Sequence, residues 1–283
     1  MYKTKLALGT NDMLGISVSE QISLFKECGF DGFFVNWKED MNIKEIKEYA
    51  DSLGMIFQSI HAPSRKSPDL WENSDKTAEA IDELLKCVRD CGENNVPIMV
   101  CHAIIGYDKV TPDEYGVENW RIVVDKARKL GVKVAIENLE GEPYTKALLE
   151  AFDDYENVGF CWDTGHEMCY NHKDMMALYG DKILCTHLND NLGASDFEGK
   201  MQFKDDMHLP PFDGIADWEN IVHRLNKYGY DDILTFEIKK CNQKGGHEKD
   251  AYERMSPEEF VCEVHKRACK VAALKLRDKN IHI

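Results

Sequence analysis

Histidine and carboxylate side chains recur at a regular place in this sequence, directly behind short apolar runs. His61 follows MIFQSI, His102 follows VPIMVC, Glu137 follows VKVAI and Asp163 follows VGFCW. His166 comes three residues after Asp163, His187 follows ILCT and Glu237 follows DILTF. A further pair, Asp206 and His208, lies in a segment of little periodicity spanning 191–216. Imidazole nitrogens and carboxylate oxygens are ligand atoms for divalent cations, and acids are rarely buried unless paired or bound to a metal. Brought together, such groups repel or stay unsatisfied unless a cation holds them, so the pattern predicts a divalent metal site. Two Glu, one Asp and one His form an oxygen-rich set suited to Mn2+, Mg2+ or Co2+, whereas additional imidazoles favour Zn2+ or Fe2+. No cysteine falls at these positions, which excludes a thiolate zinc site.

The elements that must position these residues are legible from the same runs. Eight β-rich segments, at 6–10, 33–37, 55–62, 96–103, 132–139, 158–165, 183–190 and 232–239, are each followed by a helical pattern. Ile81, Leu84, Leu85 and Val88 repeat at helical spacing, as do Trp120, Val123, Val124 and Ala127, and Trp218, Ile221, Val222 and Leu225. Gly29, Gly54, Gly92, Gly131 and Gly229 stand where C-terminal cap glycines are expected. Ser256-Pro257-Glu258-Glu259 combines a capping serine, a first-turn proline and a glutamate three residues on. Strands alternating with helices imply parallel pairing and right-handed crossovers. Eight such units in 283 residues predict an α/β fold, a single (β/α)8 TIM barrel spanning 1–283. Its active site is expected at the C-terminal ends of the strands, where the candidate ligands stand. A doubly wound sheet is the rival, but GTNDMLG after the first run is not the G-x-G-x-x-G of a dinucleotide fold.

Four of the strand ends carry a recognisable signature. A-I-E-N-L at 135–139, W-D-T-G-H at 162–166, T-H-L-N-D at 186–190 and F-E-I at 236–238 resemble the motifs of the xylose-isomerase-like barrel superfamily. That superfamily includes sugar isomerases, ketose 3-epimerases, inosose dehydratases and the endonuclease IV type of repair enzyme. The resemblance runs strand by strand along nearly the whole chain. It implies that Glu137, Asp163, His187 and Glu237 hold a shared metal. It also implies that His166 touches substrate, as in the epimerases, or binds another metal, as in the repair enzymes. His61, His102, Asp206 and His208 match the extra zinc ligands of the endonuclease IV type, although His61 and D-x-H are also compatible with sugar isomerases. The surroundings of D-x-H depart from both patterns, because Pro211-Phe212-Asp213-Gly214 replaces the usual P-G-x-G.

The chemistry implied first is isomerisation or epimerisation of a small sugar, sugar phosphate or related polyhydroxy carbonyl compound, by proton transfer through a metal-stabilised enediolate. Glu137 and Glu237 would be the catalytic pair, with His166 orienting a substrate oxygen. His61, His102, Trp37 and Lys239 are the candidate substrate contacts, and Arg65 and Lys66 a candidate phosphate contact. The alternatives are a multinuclear metallohydrolase acting on phosphoesters and an inosose-type dehydratase.

Composition narrows the partners. Fifty-one acidic residues against 35 basic give a formal net charge of −16, which repels a phosphate backbone, and no long basic run is present, so a nucleic-acid partner is not expected. No apolar run approaches a membrane span and the N-terminus lacks a secretory h-region, so the expected location is cytoplasmic. A homo-oligomer is compatible with the barrel class. Ten cysteines occur without any C-x-x-C pair, and Cys101, Cys161 and Cys185 lie inside apolar runs, so the thiols are expected to be reduced.

Overall fold

The computed structural model describes residues 4–106, 111–171, 173–196, 202–240 and 252–281. Its strands are β1 (Leu6–Gly9), β2 (Gly32–Asn36), β3 (Ile56–His61), β4 (Ile98–His102), β5 (Lys133–Glu137), β6 (Val158–Asp163), β7 (Ile183–His187) and β8 (Leu234–Phe236). Between and after them run α1 (Val18–Cys28), α2 (Ile43–Ser52), α3 (Thr77–Glu93), α4 (Glu114–Lys129), α5 (Glu142–Ala151), the short turn α6 (Thr164–His166), α7 (Met175–Tyr179), α8 (Trp218–Lys227) and α9 (Pro257–Ile281). All eight expected strands are present, trimmed by one to three residues at most ends.

The strands form one parallel sheet in the order β7-β6-β5-β4-β3-β2-β1-β8. The ring closes between β7 and β8, where the Leu188 amide donates to Thr235 O at 2.8 Å and the Glu237 amide to Leu188 O at 3.2 Å. The Thr186 hydroxyl extends this seam, accepting from the Thr235 amide at 3.1 Å and donating to its carbonyl at 3.3 Å. The closed ring is the (β/α)8 barrel, and the doubly wound alternative is excluded.

Helix formation follows the apolar spacing. In α8 the residues Trp218, Ile221, Val222 and Leu225 are all buried, each contributing about 1.5–3 kcal/mol if fully withdrawn from water. Asp217 caps its start by accepting from the Asn220 amide at 3.0 Å. The expected capping box before α9 is formed, with the Glu259 amide donating to Ser256 Oγ at 3.2 Å and the Ser256 amide to Glu259 Oε2 at 2.8 Å. Gly92 is a correction: it lies inside α3 rather than beyond it. A Cβ there would stand 2.7 Å from Leu130 Cβ, so this glycine serves the close approach of α3 to the end of α4.

The cysteine expectation is also corrected. Cys28 at the end of α1 and Cys262 in α9 form a disulfide with a Cα–Cα distance of 5.1 Å. The two are 234 residues apart in sequence but neighbours in space, because α9 packs against both α8 and α1 and so completes the outer ring. Cys101, Cys161 and Cys185 are buried free thiols as expected; Cys241 lies outside the described residues. Among the described residues no helix is long and apolar enough to cross a membrane.

Candidate metal centre

Glu137, the last residue of β5, is fully buried at the centre of the site. Its Oε2 faces His61 Nε2 and His102 Nε2, each at 3.1 Å, and those two nitrogens are 3.2 Å apart. Its Oε1 faces His187 Nδ1 at 3.1 Å and His166 Nδ1 at 3.4 Å. One carboxylate thus reaches the ends of β3 and β4 on one side, and β7 and α6 on the other.

A second carboxylate shares His187. Glu237, one residue past β8, places Oε2 at 3.2 Å from His187 Nδ1. Glu137, Asp163, His187 and Glu237 offer ligand atoms that all lie within 4.8 Å of one another, and so do His166, Asp206 and His208. His208 Nε2 is 3.0 Å from the Asp206 carboxylate, His166 Nε2 is 3.5 Å from it, and Lys239 Nζ approaches from another side at 3.5 Å.

The motifs have a mechanical reason. Asn138 bridges the ends of β5 and β6, its Nδ2 donating to Asp163 O and its Oδ1 accepting from the Asp163 amide, both at 2.8 Å. Asn189 Nδ2 donates to Asp163 Oδ2 at 2.9 Å, and the Thr164 hydroxyl exchanges bonds of 2.7 and 2.9 Å with the Asn189 backbone. A Cβ on Gly165 would stand 1.9 Å from Asn189 Oδ1, so only glycine lets Asn189 reach the aspartate. Beneath the centre, the Phe34 ring stacks on His187 with centroids 4.6 Å apart. Gly9 makes room for that ring, since a Cβ there would lie 2.4 Å from it.

The electrostatics follow from dense burial of opposite charges. Burial opposes the charge on Glu137, but the facing His187, His102 and His166 hold its carboxyl well below the usual range. Burial likewise opposes charge on His187, yet Glu137 and Glu237 keep its imidazole protonated well above the ordinary value. Asp163 has weaker compensation, and burial pushes it up to about 6.

These groups fit a divalent cation. In a tetrahedral zinc site with metal–nitrogen bonds of about 2.0–2.1 Å, neighbouring ligand atoms lie roughly 3.3–3.4 Å apart. The triangle of His61 Nε2, His102 Nε2 and Glu137 Oε2, with sides of 3.1–3.2 Å, is close to such a face. The two imidazole nitrogens can share only one proton between them, so a cation would satisfy the triangle better than hydrogen bonds do. His102 Nδ1 and His187 Nε2 are buried without a hydrogen-bond partner among the described residues.

Above the centre opens a cavity of about 400 Å³ whose lining includes His61, His102, His166, Asp206, His208, Glu237, Trp37 and Lys239. Apart from Arg65 and Lys66, the expected site residues therefore belong to this centre or its cavity, with Glu137, Asp163 and His187 in the centre but not in the cavity wall. Trp37 is largely a packing residue, 7% exposed, with its indole N–H donating to Asp90 at 2.6 Å. Lys66 is tied to Glu79 and Glu83 at 2.7 and 3.0 Å and neither it nor Arg65 lines the cavity. Sequence reasoning missed Glu140, Tyr170 and Phe203 in the wall. Glu140 is buried, its Oε1 accepting from the Gly106 amide at 2.9 Å and its Oε2 unpartnered among the described residues. Burial raises its pKa. The available signal was its place three residues after Glu137, in the turn leaving a barrel strand.

Comparisons with known proteins agree with this architecture. A family profile described as xylose isomerase-like TIM barrel matches residues 22–256. The uncharacterized protein y4fM of Sinorhizobium fredii is 36% identical over 78% of this chain and 80% of its own length. A probable endonuclease 4 of Acholeplasma laidlawii is 24% identical over 56% of this chain and 62% of its own. Among solved structures, a xylose isomerase-like TIM barrel/4-hydroxyphenylpyruvate dioxygenase fusion protein superposes with a TM-score of 0.76 at 14% identity, over 99% of this chain but 45% of its own. D-Psicose 3-epimerase of Clostridium cellulolyticum H10 has a TM-score of 0.69 at 17% identity, covering 94% of this chain and 99% of that one. IOLI protein with a bound zinc atom gives 0.71 at 19% identity, covering 93% and 97%. These structural likenesses establish the shared barrel.

Proposed function

Since the chain belongs to the xylose isomerase-like TIM-barrel family, we propose that it is a divalent-metal-dependent isomerase or epimerase of a small polyhydroxy carbonyl compound. The observation that carries this reading is the pairing of Glu137 and Glu237 on the same His187 nitrogen, at 3.1 and 3.2 Å, below a cavity of sugar size. Glu137, Asp163, His187 and Glu237 would hold the metal, which supplies Lewis-acid polarisation of a carbonyl.

This chain's own residues do the rest. Facing imidazoles keep Glu137 and Glu237 ionised in the metal-free centre, and a bound cation would do the same, so both are proton acceptors at neutral pH. One takes the proton from carbon beside the carbonyl, and the same or the opposite carboxylate returns it. His166, its Nδ1 held by Asn138 O at 2.9 Å, directs Nε2 toward the cavity and orients a substrate oxygen. The only ammonium in the described cavity wall, Lys239, already faces Asp206. The wall is therefore better suited to hydroxyl groups than to a phosphate.

A second reading, a multinuclear phosphoester hydrolase, is supported by the His61–His102–Glu137 triangle and the His166–Asp206–His208 group, and by the 24% identical probable endonuclease 4. The net charge of −16 weighs against a nucleic-acid substrate. The deciding experiment incubates Mn2+- or Co2+-loaded protein with D-psicose, D-tagatose and D-fructose in D2O. Deuterium entering carbon next to the carbonyl, and lost in Glu237→Gln, is the expected result. Absence of exchange from all three, together with cleavage of bis(p-nitrophenyl) phosphate by the Zn2+-loaded protein, would replace the first reading by the second.

A further inference from the structure

Asp206 and His208 lie in the segment 202–217, which brings them to the centre and has, among the described residues, no regular element to fix it apart from one short turn at Phe203–Asp205. Two non-glycine residues in it adopt left-handed backbone, His208 at φ 49° and Phe212 at φ 73°, each costing about 1–2 kcal/mol. Something must hold the segment against that cost.

The structure assigns this role to Asp190: we infer that its carboxylate is the positioning residue that folds the 206–217 arm over the barrel and so builds the His166–Asp206–His208 group. Asp190 is fully buried. Its Oδ1 accepts from the amides of Asn191 at 2.8 Å and Ala216 at 3.0 Å. Its Oδ2 accepts from the Phe212 amide at 2.8 Å and from Trp218 Nε1 at 2.9 Å. Four donors, two from the arm, one from Asn191 and one from α8, thus converge on one side chain, filling its acceptor capacity. The Asp190 backbone adds a reciprocal pair with Leu209, at 2.8 and 2.9 Å, immediately beside His208. Gly214 passes so close that a Cβ would lie 2.2 Å from Asp190 Oδ1, so the arm's sequence is fitted to this carboxylate. His208 then meets Glu237 O through Nδ1 at 3.1 Å and accepts the Lys239 amide at 3.0 Å, which sets the imidazole facing Asp206.

The metal-binding consequence rests on the reading that Asp206 and His208 are ligands; the ordering of the arm does not. Asp190→Asn is the test, because either orientation of the amide places an NH2 against two N–H donors and removes two of the four bonds. Hydrogen exchange is expected to accelerate roughly tenfold or more at the amides of Leu209, Phe212 and Ala216, while β5 and β7 keep wild-type protection. Zn2+ stoichiometry measured on the purified variants is expected to fall in D190N to that of His208→Gln, with the Glu137–Asp163–His187–Glu237 site still filled. Trp218→Phe, which removes one donor and keeps the carboxylate, should give an intermediate exchange rate. Wild-type exchange throughout the arm in D190N would overturn the inference, as would equal loss of protection in the arm and in β5 and β7. If H208Q itself leaves Zn2+ binding unchanged, the ligand reading fails, and the exchange pattern still decides the role of Asp190.

Discussion

Reducing the Cys28–Cys262 bond is expected to lower the melting temperature markedly while the chain stays folded. The bond closes a loop of 234 residues, and chain entropy for a loop of that length gives an upper bound of about 5.5 kcal/mol. A chain of 283 residues has an unfolding entropy of roughly 0.6 kcal/mol/K near its midpoint, so that bound corresponds to about 9 °C. Engineered and native bonds often deliver less than chain entropy allows, and a drop of about 4–9 °C is the working expectation. Calorimetry with and without a phosphine reductant measures it, with Cys28→Ser as the covalent equivalent of reduction and Cys269→Ser as a control outside the pair. C28S should melt with reduced wild type and be insensitive to reductant, whereas C269S should behave as wild type in both states. Melting points within about 1 °C of each other in the two redox states would refute the reasoning. So would peptide mapping that finds Cys28 and Cys262 both alkylated in protein purified without reductant.

Three other outcomes follow from the centre. Glu237→Gln should lower turnover by about 10²–10⁴-fold if this carboxylate moves the proton, measured as deuterium exchange at saturating metal; an unchanged rate would remove it from that role. Gly9→Ala should force the Phe34 ring against His187, costing about 1–3 kcal/mol of stability and weakening metal affinity in a chelator competition. Retention of both would mean that the ring yields freely. Glu140, with its pKa raised by burial, contributes stability that is fully present below its unfolded value of about 4.3 and is lost as pH rises through its folded value. Urea melts of wild type and Glu140→Gln across that interval should therefore show the variant gaining relative to wild type as pH rises, and a constant difference would contradict the shift.

The barrel was legible because its two periods alternate eight times, and because the residues behind the strands are of types that do not belong in an apolar core. His61, His102, Glu137, Asp163, His187 and Glu237 could be read as one rim from the chain order alone. The gaps in the reading have physical causes. Asn138, Thr164, Gly165 and Asn189 hold the ligands through short bonds between neighbouring strands, and nothing in their local spacing reveals those partners. Trp37 is a candidate substrate contact in the sequence, but its indole N–H is committed to Asp90 in α3, a contact that periodicity does not encode. The Cys28–Cys262 bond was missed for the same reason on a larger scale: only ring closure brings α9 to α1. Glu140 carries no local signal beyond its place three residues after Glu137, and its burial follows from packing that local spacing does not encode.

The number of metal ions separates the two functional readings, and His102 is where they diverge most sharply. If it is a substrate contact, His102→Gln should leave metal content unchanged and alter KM more than kcat. If it is a ligand, the same change should remove one ion per chain, because the triangle with His61 and Glu137 would keep only two imidazole or carboxylate donors. Burial lowers the pKa of His102, so its imidazole is neutral at physiological pH and free to donate a lone pair in either role. Two imidazole nitrogens 3.2 Å apart, both turned toward one carboxylate oxygen, leave one of the three contacts without a proton, a deficit that either a cation or a substrate hydroxyl would relieve. Plasma mass spectrometry on untagged protein purified without chelator, for wild type and H102Q side by side, measures the difference directly. A loss of one equivalent moves phosphoester hydrolysis ahead of isomerisation, and equal content in both proteins returns His61 and His102 to the substrate.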